Sequence, residues 1–139
     1  MSRELRFRAW DTLNKRMIPN EREVIKSIQF DQDGEFDSIE IAEMQEDFTW
    51  SVKTSCTIEL MQSTGIHDKT GKLIYEGDII NDEWGNDYQI KYNKNLAMFA
   101  GYMEDGDYEM FNYVLNKKHI EVIGNIYNKW ITNDATKKD

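Results

Sequence analysis

Apolar and polar side chains alternate in short runs along this 139-residue chain. In the segment ELRFRAWD, Leu5, Phe7 and Ala9 fall on one face of an extended backbone. A period of two predicts a half-buried strand. Similar runs occur in the segments VIKSIQF, FDSIEI, FTWSV, CTIEL, YQIKYN, AMFAGYM and IEVIGNIY. We therefore expect many short strands, with a helix at most over AEMQEDF, whose apolar residues have helical spacing.

Turn residues separate these runs about every ten positions. The segment DTLNKRMIP predicts a hairpin-like turn closed by Pro19, and DQDGE predicts a turn with Asp33 and Gly34 at its tip. The segment TGIHDKTGK reads as two consecutive turns. This pattern predicts an all-β or β-dominated fold with at most a minor α+β component.

The pattern also suggests a division of the chain near residues 62–65. We expect an N-terminal β-rich lobe over residues 1–60, an SH3-like, partly open β-barrel over residues 61–130, and a disordered polar tail over residues 131–139. Gly77 and Asp78 precede the apolar pair Ile79 and Ile80. Glycine permits a sharp bend and aspartate can accept hydrogen bonds from nearby amides, so this step is typical of the start of a barrel strand.

Composition narrows the choice of partner and compartment. The net charge is −9, which disfavours general binding to nucleic acid, since that binding depends on lysine and arginine. The apolar runs are too short for a membrane-spanning helix, and the first residues lack the apolar core of a signal peptide. Cys56 is the only cysteine. We therefore expect a protein of a reducing, cytoplasmic compartment without an intrachain disulfide.

Several segments resemble motifs for binding metal or phosphate, but their residues do not have the spacing that those motifs require. The segment DQDGEFDSIEIA begins like a calcium loop but has Phe36 and Ala42 where glycine and glutamate are required. The segment GIHDKTGK has the wrong length for a phosphate loop and is followed by a predicted strand. Cys56, His67 and His119 lack zinc-ligand spacing. We expect no metal, no cofactor and no enzymatic activity, and we expect Cys56 to be a buried core residue.

The turn around His67 and Asp68 is the most prominent surface feature of the pattern. Adjacent residues point apart, so Asp68 is better explained as a turn-forming side chain than as the partner of a histidine base. Aromatic residues of a small barrel can nonetheless contact a peptide or bases. The residues expected to contact a partner are Gln62, His67, Asp68, Lys69, Tyr75 and Trp84.

Four segments together resemble a known family. The segments LRFRAWD, MIP, LMQSTGIHDKTGKLIYEGDII and IEVIGNIY occur in the order and spacing of the YopX family of bacteriophage and prophage proteins. The resemblance implies a β-rich N-terminal part, an SH3-like barrel towards the C-terminus, and no assigned biochemical activity. It provides no catalytic or cofactor residue to transfer to this chain.

Charge segregation suggests how the chain acts. All five arginines lie within residues 1–26, whereas residues 27–68 carry ten carboxylates and one lysine. Arginine and carboxylate groups pair well, within one chain or between subunits. We expect a non-enzymatic, self-associating binding module. The residues expected at the subunit interface are Arg3, Arg6, Arg8 and Trp10. The alternatives are an acidic decoy that inhibits a host nucleic-acid-binding protein, another host or phage protein as the partner, and direct nucleic-acid binding through the barrel.

Overall fold

The computed structural model describes residues 5–106, 108–110 and 120–128. Within this part of the chain there are twelve strands and no helix. The strands are β1 (Phe7–Asp11), β2 (Arg16–Ile18), β3 (Glu23–Phe30), β4 (Phe36–Met44), β5 (Trp50–Ser55), β6 (Ile58–His67), β7 (Leu73–Tyr75), β8 (Asp78–Asn81), β9 (Asp87–Asn93), β10 (Met98–Tyr102), β11 (Tyr108–Met110) and β12 (Glu121–Asn125). The prediction of a β-dominated fold is confirmed, and one sheet curls as a half-barrel. The predicted tail over residues 131–139 lies outside the described residues.

The chain divides into two compact units. The N-terminal unit comprises residues 7–61, and the C-terminal unit comprises residues 1–6 and 62–139. Strand β6 begins in the first unit and ends in the second. The lobe boundaries expected from the sequence, at residues 60 and 130, stay a prediction.

The N-terminal unit contains the antiparallel sheet β3-β4-β5, and strands β2, β1 and the start of β6 lie side by side in that order. The core is made by Ala9, Ile18, Ile39, Ile41 and Ile58. Because side chains alternate along a strand, Ile39 and Ile41 place one face of β4 in this core. Strand β4 continues to Met44, and a turn follows it, so the helix considered for this segment does not form.

Strand β1 is covered on both faces, which corrects the expectation of a half-buried strand. Arg8 is 8% exposed and Trp10 is 7% exposed, although they alternate with the fully buried Ala9. Neighbouring strands β2 and β6 fix its backbone. Alternation identified the strand correctly, but tertiary packing covers the face expected to be open.

The C-terminal unit contains the antiparallel sheet β11-β10-β9-β8-β12. Its core is made by Ile74, Ile80, Tyr88, Ile90, Ile120 and Val122. Gly101 on β10 leaves room for the ring of Tyr88 on β9, since a Cβ at Gly101 would lie 3.1 Å from the Tyr88 Cβ. Gly77 has a φ of 89°, and the Asp78 carboxylate accepts a hydrogen bond from the Tyr75 amide at 2.8 Å. The bend expected at this step is therefore present.

Three turns share one geometry and one sequence pattern. They span residues 31–35, 68–72 and 82–86, and each begins with aspartate and has glycine at the fourth position. In each, the first amide donates to the fifth carbonyl and the glycine amide donates to the first carbonyl. The aspartate Oδ1 also accepts hydrogen bonds from the third and fifth amides. All three glycines have a positive φ, which this hairpin geometry requires.

Candidate protein-interaction surface

Asp68, which the sequence placed at the centre of a candidate binding turn, holds that turn against β12. Its Oδ1 accepts hydrogen bonds from the Thr70 and Lys72 amides and from the Thr70 hydroxyl, at 2.6–2.9 Å. Its Oδ2 accepts the Val122 amide at 2.9 Å, across 54 residues of sequence. The side chain is 6% exposed. The carboxylate is thus a structural anchor whose oxygens are directed into the protein.

The same contacts set the ionisation of Asp68. Burial alone raises the pKa of the carboxyl group, because it disfavours the charged form. The hydrogen bonds from Thr70, Val122 and Lys72 stabilise the carboxylate and outweigh burial, so the pKa of Asp68 is lowered. A carboxyl group with a lowered pKa is a poor proton acceptor near neutral pH, which disfavours a role in acid-base catalysis.

The other residues expected at this surface have mixed positions. His67 is exposed at the end of β6, while its neighbour Asp68 is buried, as expected for adjacent residues. Lys69 is exposed, and its Nζ lies 3.8 Å from Glu121 Oε1. Gln62 is half-buried, and its backbone amide donates to Glu76 Oε1 at 2.8 Å. Tyr75 is half-buried in β7.

Trp84 is an exposed aromatic residue among these candidates, with 62% of its surface accessible. It lies in the turn anchored by Asp82, and its amide donates to the Asp82 carboxylate at 2.9 Å. Asp82 itself is fully buried. The exposed Trp84 ring is therefore carried by a turn whose backbone is held by the buried Asp82 carboxylate.

The aromatic residues of β9 and β10 pair with each other and with a lysine. The rings of Tyr92 and Phe99 meet edge to face, with centroids 5.4 Å apart. The Lys91 ammonium lies 5.0 Å from the centre of the Tyr102 ring. This cation–π contact orients Lys91, which remains exposed on β9. Nucleic-acid binding through the barrel stays a prediction.

The arginine-rich first strand is largely built into the fold. Arg8 and Trp10 are buried, as noted above, whereas Arg6 is exposed. The Arg6 backbone is paired with Ser63: its amide donates to the Ser63 hydroxyl at 2.9 Å, and its carbonyl accepts the Ser63 amide at 2.8 Å. Arg3 lies outside the described residues.

A buried carboxylate explains part of the charge segregation. Glu23 is 2% exposed. Its carboxylate forms ion pairs with Arg16 at 2.7 Å and Lys53 at 3.1 Å, and it accepts a hydrogen bond from the Asn20 side chain at 2.9 Å. Burial raises the pKa of Glu23, but these donors outweigh it and the pKa is lowered. One arginine of the N-terminal segment is therefore used within the chain, in this cluster with Glu23 and Lys53.

Strand β5 is the surface that the sequence pattern did not single out. It is an edge of the sheet β3-β4-β5, and five of its six residues are exposed. Trp50 is 53% exposed and Val52 is 48% exposed, and both lie on the same face. Exposed apolar side chains on an accessible strand edge mark a site where another chain can pair. The alternation in FTWSV predicted an apolar face, but it carried no information on whether that face is covered.

Phe48, in the turn between β4 and β5, has a positive φ. The turn over residues 45–49 has the two backbone hydrogen bonds of the three aspartate turns, from Gln45 to Thr49 and from Phe48 to Gln45. Phe48 occupies the position that glycine holds in those turns, with a φ of 66°, and it is 81% exposed. A bulky residue in the left-handed region is strained, and such strain is concentrated at functional positions.

Cys56 and His67, which were considered for metal or catalytic chemistry, both lie on the surface of the described part of the chain. Within it, no group of three or more His, Cys, Asp and Glu side chains could hold a metal ion. Cys56 is exposed in the turn between β5 and β6, so the expectation of a buried core cysteine is wrong. The strand starts two residues later, at Ile58, which takes the buried position instead. His119 lies outside the described residues.

An open cleft of about 490 Å³ lies beside this hairpin. Its lining residues are Arg22, Glu43, Met44, Gln45, Glu46, Asp47 and Thr49. They include no histidine and no cysteine, and the lining is mainly polar. The cleft thus lacks the enclosed apolar walls typical of a small-molecule site.

No helix in the described ranges is long and apolar enough to cross a membrane.

Comparison with known proteins gives a consistent result over nearly the whole chain. The family model described as YopX protein matches residues 6–129. Among solved structures, protein EF1440 from Enterococcus faecalis is similar, with a TM-score of 0.59 and 25% sequence identity. The alignment covers 94% of this chain and 97% of that chain. No curated protein matches the sequence significantly.

Proposed function

This chain belongs to the YopX family, and we propose that it is a non-enzymatic binding protein that associates with itself. The observation that carries the proposal is strand β5, an exposed edge strand with Trp50 and Val52 on its surface. Soluble proteins usually protect such edges with charges, proline or bulges, because an open edge recruits other strands. An unprotected apolar edge is therefore best explained by a partner.

The chemistry of the titratable groups supports a role in binding over one in catalysis. Asp68 and Glu23, two buried carboxylates of the described region, are committed to hydrogen bonds and ion pairs that hold strands and turns in place. Cys56 and His67 are exposed on the surface. A nucleophile or general base needs a positioned partner and a site that can exclude water, and the open cleft beside Gln45 offers neither.

Self-association is tested by sedimentation velocity over a wide range of protein concentration, at low, intermediate and high salt. We expect a reversible monomer–dimer equilibrium that shifts to dimer as the protein concentration rises. A chain that stays strictly monomeric at every concentration and salt level would contradict the proposed function.

A second candidate role, as an acidic decoy for a host protein that binds nucleic acid, has one observation in its favour. Four carboxylates, Asp31, Asp33, Glu35 and Asp37, are exposed around the β3–β4 turn. A host partner recovered from lysate at low salt and released by salt would support this role. The partner should be lost with a variant in which all four are replaced by Asn or Gln. Recovery of the same proteins by the variant would count against it.

We also propose that the protein comes from a phage or prophage and acts in the bacterial cytoplasm. The proposed origin is supported by the family resemblance of the LMQSTGIHDKTGKLIYEGDII segment. The single cysteine, which is exposed, fits a reducing compartment. Fractionation of infected or induced cells with an antibody to the protein tests the location.

A further inference from the structure

We infer that two copies of the chain pair through β5 in antiparallel orientation, about a two-fold axis that passes through Val52, to form one continuous six-stranded sheet. This inference rests on the proposed self-association and specifies its surface and register. An isologous interface of this kind needs a surface that is complementary to itself. The backbone, the side-chain pairing, the charges and the shape of β5 each meet that requirement.

The backbone of β5 presents hydrogen-bonding groups away from β4. In an antiparallel pair, hydrogen-bonded and non-hydrogen-bonded residue pairs alternate. The Gln45 amide donates to the Thr49 carbonyl, and β4 and β5 then pair without a register shift from Met44 opposite Trp50. Consistent with this alternation, the Met44 amide donates to the Arg22 carbonyl, away from β5. The outward N–H and C=O groups of β5 therefore belong to Trp50, Val52 and Thr54.

One register uses all three of these residues. With the axis at Val52, each Val52 faces Val52 of the second copy, and each Trp50 faces Thr54 of the second copy. All three outward residues of both strands then exchange hydrogen bonds. Moving either strand by two residues leaves one outward residue of each strand opposite the turn that follows or precedes β5. The Val52-centred register is thus the most complete that this strand can form with itself.

Charge also favours this edge as the place where two acidic molecules meet. The chain has a net charge of −9, so two copies repel each other over most of their surfaces. Between Asp47 and Glu59 there is no carboxylate, and Lys53 is the only charged residue. In the Val52-centred register Lys53 faces Ser51 of the second copy, so no like charges are directly opposite.

Lys53 does not protect the edge in the way that edge lysines usually do. It lies on the opposite face from Trp50 and Val52, and its Nζ is 3.1 Å from Glu23 and 3.7 Å from Glu43. Its charge is therefore held by carboxylates of the same sheet. A lysine neutralised within its own sheet is a weaker barrier to strand addition than one that projects freely into solvent.

The other edge of the same sheet is protected where β5 is not. Strand β3 pairs with β4 through two register shifts, between Ile25 and Ser27 and between Gln29 and Phe30. Such bulges twist an edge and interrupt its ladder, which discourages pairing with another chain. Strand β5 is regular over its whole length. This difference between two edges of one sheet points to β5 as the edge kept open for pairing.

Exposed apolar side chains also form a row across one face of the sheet. Val24, Ala42 and Val52 lie opposite one another across β3, β4 and β5. Val24 and Val52 are 41% and 48% exposed. Pairing at Val52 joins this apolar row to the same row of the second copy. Phe48, which is 81% exposed, then lies beside the Cys56 turn of the second copy.

The register is tested by disulfide trapping in full-length chains that carry Cys56→Ser. Single cysteines are introduced as Val52→Cys, Ser51→Cys and Lys53→Cys and are oxidised at a concentration where dimer is present. In the inferred register the two Val52 Cα atoms are about 5.5 Å apart, within disulfide range, whereas equivalent Ser51 or Lys53 atoms are about 8 Å apart. We expect Val52→Cys to form linked dimer at least about tenfold faster than the other two.

Substitution of the edge gives an independent measurement. Val52→Lys introduces two facing charges at the axis and should weaken the dimer at least about tenfold. Because Val52 is exposed, thermal unfolding at a concentration where the chain is monomeric should change little. Val24→Lys is the matched control, with similar exposure on the protected edge, and should leave the dimer constant nearly unchanged.

The outcomes separate the register from the proposed function. A dimer that cross-links fastest through Ser51→Cys or Lys53→Cys, or that resists Val52→Lys, would overturn the β5 pairing and leave self-association standing. A dimer that weakens sharply as salt rises would instead indicate arginine–carboxylate pairing, because the β5 interface lacks opposed charges and should persist in salt. A chain that is monomeric throughout would overturn both proposals.

Discussion

Single aspartates and glycines set much of the local geometry in this protein. The turn at Asp68 shows why a five-residue pattern is sufficient: the side chain satisfies two amides of its own turn, and the glycine supplies the positive φ. The turn at Phe48 has the same backbone bonds without either residue type at those positions. The turns that have aspartate at the first position and glycine at the fourth stabilise the fold. Phe48, which replaces glycine at the fourth position of its turn, lies at the proposed interface.

Asp68→Asn should destabilise the chain by about 2 kcal/mol, since a buried, multiply bonded carboxylate is replaced by an amide that cannot accept from every donor. The amide NH₂ group would face either the Val122 amide or the amides of the turn. Urea unfolding followed by circular dichroism measures the change. Asp31→Asn is the matched control, because Asp31 has the same turn contacts but is exposed. An equal loss in both variants would contradict the role of the Val122 contact.

Phe48→Gly should raise the free energy of unfolding of the monomer by about 1 kcal/mol, because glycine adopts a positive φ without the strain imposed by a Cβ. The same variant should weaken the dimer, since the exposed ring is lost. Gly34→Ala is the reverse control: a Cβ there meets no atom within 4 Å, so its cost is that of the backbone alone. Thermal unfolding of both variants is the measurement. A destabilised Phe48→Gly monomer would show that the ring supports the fold itself.

The two edge strands of the N-terminal sheet differ in their protection against pairing with another chain, and this difference is seen only when whole strands are compared. Strands β3 and β5 are both edges of one sheet, but the bulges lie in the pairing of β3 with β4. In the C-terminal unit, Gly101 on β10 leaves no room for a Cβ, which would lie 3.1 Å from the Tyr88 Cβ on β9. Because β5 pairs with β4 without a register shift, its outer edge can accept another strand. In the C-terminal sheet, the Tyr88 side chain fills the space left at Gly101 and completes the core.

Gly101→Ala should destabilise the C-terminal unit by about 1–3 kcal/mol, because the added methyl group overpacks against a ring that is only 1% exposed. Differential scanning calorimetry measures the loss. In a double-mutant cycle with Tyr88→Leu, the alanine should cost less, since the ring atoms it meets are removed. An additive cycle would show that the cost arises from somewhere other than this contact.

At the scale of the whole molecule, buried carboxylates link stability to pH. The pKa values of Asp11, Glu23 and Asp68 are all lowered by hydrogen bonds and ion pairs that outweigh the effect of burial. A lowered folded-state pKa contributes stability that is fully present above the unfolded-state value and is lost as pH falls through the folded-state value. The net charge of −9 acts in the opposite direction at neutral pH, by self-repulsion.

We therefore expect the free energy of unfolding to be nearly constant from about pH 7 to pH 5 and to fall steadily below about pH 4, where these carboxylates take up protons on unfolding. Urea titrations at a series of pH values provide the measurement. Asp68→Asn should show a shallower fall than the parent chain. An unchanged slope in that variant would show that Asp68 contributes no acid sensitivity.

Local and nonlocal features differ in how far the sequence predicted them. The turns around Asp33, Asp68 and Gly77 were predicted correctly, because their hydrogen bonds lie within a few consecutive residues. The expectation of two consecutive turns in TGIHDKTGK was wrong in its first half, because β6 continues to His67. The burial of Arg8 and the exposure of Cys56 were predicted wrongly. Arg8 is covered by packing with parts of the chain that are distant in the sequence, which a residue pattern does not place, whereas Cys56 is exposed because β6 begins only at Ile58. The candidate site followed the same division, since the turn at Asp68 was identified but the open edge of β5 was not.

Residue order and composition were sufficient to predict the alternation of short strands and turns, the acidic charge and the family. They were not sufficient to predict which of two similar apolar faces is covered, because that depends on how the strands pack. Ile39 and Ile41 on β4 are fully buried, whereas Trp50 and Val52 on the adjacent β5 are about half exposed. Both strands alternate with the same period, but the two pairs lie on opposite faces of the sheet, since Ile41 is opposite Lys53 whereas Ala42 is opposite Val52. Burial depends on the partners that the rest of the fold supplies, and at β5 we propose that the partner is a second copy of the chain.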